Sequence, residues 1–154
     1  YTVLVTDLNG CTFTDTITVN EPTALLATTS TTDVLCNGGS TGTASVNVSG
    51  GSPGYTYLWM PSAQTTATAT GLAQGTYTVA VVDANGCTFT DTVIVTEPTA
   101  LTSSLSMTAV ICNGDTTGTA TVVAAGGIPG YTYLWNPTGQ TTAVATGLGQ
   151  GLAV

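Results

Sequence analysis

The sequence predicts an all-β protein built from β-sandwich domains in tandem. Three observations predict this: a composition that favours strands, turn residues at regular spacing, and an internal repeat. The 154 residues are 42% hydrophobic and only 5% charged, which is typical of a folded chain. Threonine, with 36 copies, favours strands, and 19 glycines supply turns.

The repeat becomes visible when the chain is aligned with itself so that Tyr1 falls on Tyr77. Cys36 then falls on Cys112 and Trp59 on Trp135, and 50 of the 78 aligned pairs are identical without a gap. A unit of this length is too long for one turn of a solenoid and suits a small sandwich domain. We therefore expect one sandwich per repeat, and many more copies in a longer protein.

Glu-Pro dipeptides at 21–22 and 97–98 mark the boundaries between repeats. Proline cannot donate to a strand ladder, so it suits a strand end or a linker. We place the boundaries near 23–24 and 99–100 and expect an interior piece of an exported protein. Its three parts are the C-terminal strands of a preceding repeat (1–23), a complete repeat (24–99) and the N-terminal part of a following repeat (100–154).

Alternation of apolar and polar residues places the strands of the complete repeat in order. The segments are ALLATTST, TGTASVNVSG, GYTYLW, TYTVAVVD and CTFTDTVIVTE. Ala44 and Val46 share the apolar face of the second segment. In the last segment, Phe89 and Val93 lie on one face and Thr92 lies on the other. The turn segments between them are CNGGSTG, SGGSPG, MPSAQ, GLAQG and DANG. Six or seven short strands at this spacing predict an immunoglobulin-like Greek-key sandwich.

The charge pattern excludes several classes of function. Eight acidic residues and no Lys, Arg or His give a net charge of −8. Such a chain cannot neutralise phosphates or anionic lipids, so we expect no nucleic-acid partner. No apolar run is long enough for membrane insertion. Without His or Lys there is no base near pH 7, and the sequence does not predict an enzyme.

Each repeat carries two cysteines, an even number that favours a disulfide in an exported domain. In the complete repeat we expect Cys36 to pair with Cys87, leaving Cys11 and Cys112 to pair outside this chain. The alternative joins neighbouring domains through Cys11–Cys36 and Cys87–Cys112. Two thiols without histidine or a CxxC motif do not predict a zinc site.

The motifs resemble the SprB-repeat family. The residues that carry the resemblance are CNGGSTGTASVNVSGGSPGYTYLW and GLAQGTYTVAVVDANGCTFTDTVIVTEP, with the named repeat at about 34–72 and 110–148. The resemblance implies a cell-surface adhesin of gliding bacteria, exported through the type IX secretion route and forming long filaments. Near the chain end, Leu152 and Ala153 stand where the family pattern has Thr and Tyr.

We therefore expect a stalk or filament segment of a large extracellular adhesin, on the bacterial surface or in an extracellular filament. The expected partners are neighbouring repeats, other copies in a filament, and a surface polysaccharide or receptor. The alternative is a carbohydrate-binding or spacer module of a secreted multidomain enzyme. No cofactor is expected.

Two further patterns concern modification and metal binding. Thr16, Thr92 and Thr116 each follow Asp and precede a methyl-bearing residue, which resembles the O-glycosylation signal of the same bacterial group. Asp-x-Asn-Gly segments resemble half of a calcium loop, although Asn-Gly between strands is a strong hairpin signal, and we favour the turn. The weak calcium candidates are Asp7, Asn9, Asp83, Asn85, Glu21 and Glu97.

The aromatic cluster of each repeat has two interpretations. Tyr57 and Trp59, with Tyr133 and Trp135 in the next copy, would either stack on sugars or anchor the core. A tryptophan on this strand of a sandwich is a typical core residue, and we expect core anchors.

Overall fold

The computed structural model describes residues 1–151, and these residues confirm the all-β prediction. They form eleven strands and no helix, so no helix among them is of a length and apolarity that would cross a membrane. Leu152 and Ala153 lie outside the described residues. In chain order the strands are β1 (Thr2–Thr6), β2 (Thr12–Thr16), β3 (Leu26–Thr32), β4 (Gly42–Ser49), β5 (Thr56–Met60), β6 (Thr68–Leu72), β7 (Gly75–Val82), β8 (Thr88–Val95), β9 (Thr102–Thr108), β10 (Gly118–Ala125) and β11 (Val144–Leu148).

Strands β3 to β8 form two antiparallel sheets of three strands each. The strand orders are β3-β4-β6 and β5-β7-β8, so the chain changes sheet at three successive connections, from β4 to β5, β5 to β6 and β6 to β7. Both sheets contribute to one hydrophobic core, which makes this unit a β-sandwich. The immunoglobulin-like Greek-key assignment stays a prediction.

The core explains the alternation seen in the sequence. In β7, Tyr77, Val79 and Val81 are buried, while the residues between them are only half-buried. Trp59 of β5 is fully buried against them. The ten buried core residues are Val34, Ala44, Val46, Trp59, Ala69, Leu72, Tyr77, Val79, Val81 and Val95.

Strand β6 differs from the sequence prediction. The segment GLAQG is predicted as a turn, but Gly71 and Leu72 belong to β6, which pairs with β4. Gly71 has a φ of +67°, and the register shifts between Gly42 and Ala44. This irregularity lets Ala69 and Leu72, three residues apart, both enter the core.

The residues after Thr99 repeat only part of this sandwich. Strands β9, β10 and β11 form one antiparallel sheet that corresponds to β3, β4 and β6. The segment 130–135 has the same sequence as 54–59, but it forms only an isolated bridge between Trp135 and Gln140. Among the residues that the structure describes after Thr99, no strand corresponds to β7 or β8.

The first residues of the chain form an exposed hairpin. In β1 and β2, Thr2 pairs with Thr16 and Val5 with Phe13. The corresponding pairs in the complete repeat have the same register in β7 and β8. All ten residues of the two strands are exposed, so the hairpin packs against little else.

Candidate functional site

A carboxylate with both oxygens hydrogen-bonded lies in the linker between repeats. The linker begins with Glu97 and Pro98 and runs to Leu101, just before β9. It contacts the preceding repeat through one glycine-containing motif and the following repeat through another. We call residues 97–101, with the two motifs that hold them, the repeat junction.

The preceding repeat holds the linker through the β3–β4 loop. The Asn37 amide donates to Oε1 of Glu97 at 2.9 Å and to the carbonyl oxygen of Pro98 at 3.1 Å. The backbone N–H of Gly38 donates to Oε2 of Glu97 at 2.7 Å. Hydrogen bonds to a carboxylate are stronger than neutral ones. Glu97 therefore fixes the direction in which the chain leaves the sandwich.

The following repeat holds the linker through two consecutive glycines. The N–H of Gly127 donates to the carbonyl oxygen of Thr99 at 2.8 Å. A β-carbon on Gly126, whose φ is +72°, would stand 2.0 Å from the carbonyl oxygen of Ala100. The hydroxyl of Tyr131 donates to the carbonyl oxygen of Gly126 at 2.5 Å. Only glycine at 126 allows this approach.

The same clasp joins residues 1–23 to the complete repeat. Gly51 donates to the carbonyl oxygen of Thr23 at 2.8 Å, and Tyr55 donates to that of Gly50 at 2.6 Å. A β-carbon on Gly50 would stand 2.0 Å from the carbonyl oxygen of Ala24. The GG-x-P-G-Y motif therefore binds the linker that precedes its repeat. Each repeat that carries the motif binds its linker in the same way.

A small cleft of about 250 Å³ lies at the repeat junction. Residues of both repeats line it: Leu35, Cys36, Asn37, Pro98, Thr99, Leu101, Gly127, Ile128 and Tyr131. Cys36 of one repeat thus faces the same space as Gly127 and Ile128 of the next. Apart from the Cys36 thiol and the Asn37 amide, its walls are mainly apolar.

The Asp-x-Asn-Gly segments form tight hairpin turns. Oδ1 of Asp83 accepts the N–H groups of Asn85 and Cys87 at 2.9 and 2.8 Å, and Oδ2 accepts that of Ser52 at 2.8 Å. The Ser52 bond contributes most to holding the pKa of Asp83 below its ordinary 3.8; burial opposes this, and the Cys87 and Asn85 bonds add to it.

These bonds bear on the calcium candidates. Asp7 accepts the N–H groups of Asn9 and Cys11 in the same way as Asp83 in its own turn. Both oxygens of Asp83 and both oxygens of Glu97 are already engaged by N–H donors. Within residues 1–151 no cluster of three or more acidic, Cys or His side chains has metal-binding geometry. The role of these aspartates in the structure is to cap the turn.

The cysteines lie at the two ends of the sandwich. Cys36 lies in the loop after β3, near Glu97 and the last residue of β8, whereas Cys87 directly precedes the first residue of β8. Eight strand residues span about 25 Å, and a disulfide requires α-carbons within about 7 Å. All four cysteines are exposed and unbonded in the structure, which places Cys36 and Cys87 at opposite ends of the sandwich; the Cys36–Cys87 disulfide stays a prediction. The alternative pairs, Cys11–Cys36 and Cys87–Cys112, are not formed within the chain either.

The three candidate glycosylation threonines are all exposed. Thr92 lies on the outer face of β8, where its hydroxyl is 3.1 Å from that of Thr78. Thr16 ends β2, and Thr116 lies in the β9–β10 loop. All three side chains are accessible to an enzyme, and their modification stays a prediction.

The aromatic residues differ between the two copies. Trp59 is fully buried and its indole N–H donates to the carbonyl oxygen of Thr66 at 3.0 Å, while Tyr57 is half-buried against the core. Trp135 makes the same bond with Thr142 at 2.9 Å but is only half-buried, as is Tyr133. In the complete repeat these side chains do not form an exposed platform for a sugar.

Sequence reasoning missed one polar contact inside the complete repeat. The hydroxyl of Thr29 in β3 donates to Oδ2 of Asp91 in β8 at 2.7 Å. The Thr29 bond is the main cause that lowers the pKa of Asp91 below 3.8, the Thr92 N–H adds to it, and burial opposes it. The sequence offered one signal for this contact: Asp91 occupies an inward-facing position in the alternating pattern of β8.

Comparison with known families and proteins gave one match. A family model described as the SprB repeat matches residues 28–64 and 104–140. The two segments coincide when Tyr1 is aligned with Tyr77, as the internal repeat requires. Neither a curated protein nor a solved structure matches the chain significantly.

Proposed function

Because this chain belongs to the SprB-repeat family through two copies of the repeat, we propose that it is a load-bearing stalk segment of a cell-surface adhesin. The family is a structural repeat and not an enzyme family, and it points to adhesin-type surface proteins involved in gliding. The function of the segment is then mechanical: it spaces a binding tip from the cell and transmits force.

The contacts between the first and last strands of the complete repeat carry this proposal. Thr29 bonds Asp91, the Val34 N–H donates to the carbonyl oxygen of Thr96 at 2.9 Å, and the Thr96 N–H donates to Oδ1 of Asp33 at 2.9 Å. The chain enters at one end of the sandwich through β3 and leaves at the other through β8. A force that pulls on the two ends of the repeat therefore acts along the strands, and it loads these bonds together with the backbone hydrogen bonds of both sheets.

The repeat junction supports the same function. The linker is bonded to the repeat on either side, so neighbouring repeats do not hinge freely at Glu97 or Thr99. An array whose linkers are hydrogen-bonded on both sides keeps its end-to-end length, and a stalk needs this length to hold a binding tip away from the cell.

Stretching single molecules of the chain between its two ends tests the mechanical role. We expect one force peak for the complete repeat, followed by a length gain of roughly 200–250 Å, set by about 3.3–3.6 Å per extended residue. Thr29→Val should lower the peak force, because it removes the hydroxyl that bonds Asp91. Thr31→Val, an exposed position on the same strand, is the matched control.

Immunogold labelling of intact cells with antibodies against the chain tests the location. We expect label on the outer surface and loss of label after proteinase K treatment; trypsin is unsuitable because the chain has no Lys or Arg. Label confined to broken cells, or stretching without a force peak, would contradict the proposal.

A further inference from the structure

The repeat junction contains an Asn-Gly pair whose side-chain and backbone nitrogens both bind one carboxylate. The side-chain amide of Asn37 donates to Oε1 of Glu97 at 2.9 Å and to the carbonyl oxygen of Pro98 at 3.1 Å. The backbone N–H of Gly38 donates to Oε2 of Glu97 at 2.7 Å. These bonds hold the linker, and they also engage the two nitrogens that take part in the deamidation of asparagine.

Asparagine is chemically labile, and a following glycine makes it more so, because a residue without a β-carbon lets its backbone nitrogen approach the asparagine side chain. In this reaction the nitrogen of Gly38 loses its proton and forms a bond to Cγ of Asn37. The bond from Cγ to Nδ2 breaks, ammonia leaves with that proton, and a cyclic imide remains. Water then opens the imide to aspartate or isoaspartate, so the net reaction consumes one water and releases one ammonia.

The β3–β4 loop presents this pair in a tight turn on the surface. The N–H of Gly39 donates to the carbonyl oxygen of Cys36 at 2.9 Å, and Gly38 between them has a φ of +74°. Asn37 and Gly38 are both exposed. Water, the only co-reactant of deamidation, therefore reaches the pair, and burial does not protect it.

The bonds to Glu97 oppose the formation of the imide. Nδ2 of Asn37 has to give up its bonds to Glu97 and Pro98 before it leaves as ammonia. Loss of the Gly38 proton would create a negative charge 2.7 Å from Oε2 of Glu97, and like charges this close disfavour ionisation. A carboxylate is also a far weaker base than an amide anion, so Glu97 does not drive the proton transfer. The bonded carboxylate therefore slows deamidation.

The second Asn-Gly pair of the complete repeat binds neutral acceptors instead. Nδ2 of Asn85 donates to the hydroxyl of Ser52 at 2.6 Å, and the N–H of Gly86 donates to the carbonyl oxygen of Asp83 at 3.0 Å. Hydrogen bonds to neutral acceptors are weaker than those to a carboxylate. The two pairs share their sequence but differ in their partners, so the second pair is an internal reference for the first.

The protection of Asn37 depends on the position of the linker. Glu97 is 60 residues from Asn37 along the chain, and it meets the pair only while the linker lies against the β3–β4 loop. When the linker moves away from this loop, Asn37 and Gly38 lose all three bonds together. The reactivity of Asn37 therefore follows the opening of the repeat junction.

Deamidation also changes the contact between the loop and the linker. Ionised aspartate at position 37 has no N–H group to donate, and its carboxylate faces that of Glu97, so the two repel each other. Isoaspartate adds the same charge and lengthens the backbone by one carbon, which displaces the N–H of Gly38. Either product disfavours the return of the linker to the loop.

We propose that Asn37–Gly38 is a deamidation site that Glu97 keeps unreactive while the repeat junction is closed. A junction that is pulled open loses this protection, and deamidation then keeps it open. The reaction takes water as its substrate and needs no enzyme. This modification goes beyond the stalk function, and it does not depend on where the protein is located.

Deamidation rates of the whole chain at neutral pH test the protection, with peptic peptides analysed by mass spectrometry. We expect Asn37 to deamidate on the order of tenfold to a hundredfold faster in Glu97→Ala, the factor that corresponds to the loss of hydrogen bonds to a charged acceptor. The rate at Asn85 should be the same in both chains, which checks that the fold is intact. Glu21→Ala, which removes the same charge from the earlier linker, is the matched control and should leave Asn37 slow.

The same measurement identifies the results that would overturn the proposal. Equal rates at Asn37 in the unmodified chain and in Glu97→Ala would mean that the carboxylate gives no protection. A slower rate in Glu97→Ala would mean that Glu97 promotes the reaction as a base, which is the opposite of the proposed role.

Asn37→Asp reproduces the aspartate product and tests its effect on the junction. We expect residues 24–99 and 100–151 to lose their common alignment in residual dipolar couplings, because two carboxylates then face each other at the linker. Asn113→Asp, the same substitution in the corresponding loop of the following repeat, is the matched control and should keep the alignment of the unmodified chain. An unchanged alignment in Asn37→Asp would overturn the claim that deamidation holds the junction open.

Discussion

Gly50 has a φ of +70°, and a β-carbon at this position would stand 2.0 Å from the carbonyl oxygen of Ala24. Gly86, in the β7–β8 turn, has a φ of +85° but nothing within 4 Å of the same point. The two glycines share a backbone conformation that disfavours other residues. Only Gly50 also makes room for the linker, so single residues of the repeated motifs specify how the repeats connect.

Replacing each of these glycines by alanine separates the two effects. Gly86→Ala should lower the free energy of unfolding by about 1–2 kcal/mol, the cost of the left-handed conformation. Gly50→Ala should lower it by about 3 kcal/mol or more, because the clash with Ala24 is added. Urea unfolding followed by tryptophan fluorescence measures both, and equal losses would contradict a role of Gly50 in seating the linker.

Asp83 makes the stability of the complete repeat depend on acid. Its pKa in the folded chain lies below 3.8, so its stabilising effect is fully present above that value. Between 3.8 and the lowered pKa, the unfolded chain binds more protons than the folded one, and stability falls as the pH falls. The pKa of Asp91 is also lowered in the folded chain, so this residue too makes stability fall as the pH falls.

We therefore expect the melting temperature to decrease as the pH is lowered from 5 to 2. The sequence has no histidine, so this dependence comes from carboxyl groups. Asp83→Asn should lower the melting temperature at pH 6 and flatten this pH profile. Asp115→Asn, which removes a charge from a loop, should leave the slope unchanged. An unaltered slope in Asp83→Asn would show that its bonds to Ser52 and the turn do not matter.

At the scale of strands, the sequence predicted those that alternate clearly and missed the one that does not. TYTVAVVD became β7 because Tyr77, Val79 and Val81 repeat with period two. TATGL became β6 although it is short and contains a left-handed glycine, because β4 offers it a partner. GYTYLW is a strand in one repeat and not in the other, so its structure depends on a paired β7 rather than on its own residues.

Hydrogen exchange should report this dependence on a partner. Amides in 56–60 should exchange slowly, since β5 is paired along its length with β7. Amides in 132–136, whose first four residues are the same as those of 56–60, should exchange faster because no described strand is paired along this segment. Mass spectrometry of peptic peptides that contain each segment measures both exchange rates, and equal rates would contradict the explanation.

At the scale of the whole molecule, the internal repeat was visible in the sequence, but the positions of the cysteines in space were not. Spacing along the chain does not say at which end of a sandwich a loop lies. Cys36 and Cys87 belong to one repeat, yet they lie at opposite ends of β8. The contacts of Glu97 with Asn37 were equally hidden, because they join residues that are distant in sequence.

Glu97 should control the orientation of one repeat relative to the next. Glu97→Ala removes the acceptors of Asn37 and Gly38 and leaves the Asn37–Pro98 bond and the Gly127 clasp. Because the hydrogen bonds of the half-buried Glu97 lie at the exposed surface, the free energy of unfolding should change by less than about 1 kcal/mol. The linker, however, loses one of its two attachments, and the two repeats should reorient more freely.

Residual dipolar couplings give the alignment of residues 24–99 and 100–151 separately. With Glu97 present, both parts should share one alignment tensor. Glu97→Ala should reduce the alignment of the following repeat, whereas Glu21→Ala, which removes the same charge from the earlier linker, should not. Equal tensors in all three chains would mean that the glycine clasp alone orients the repeats, because Gly126 and Gly127 are unchanged in each.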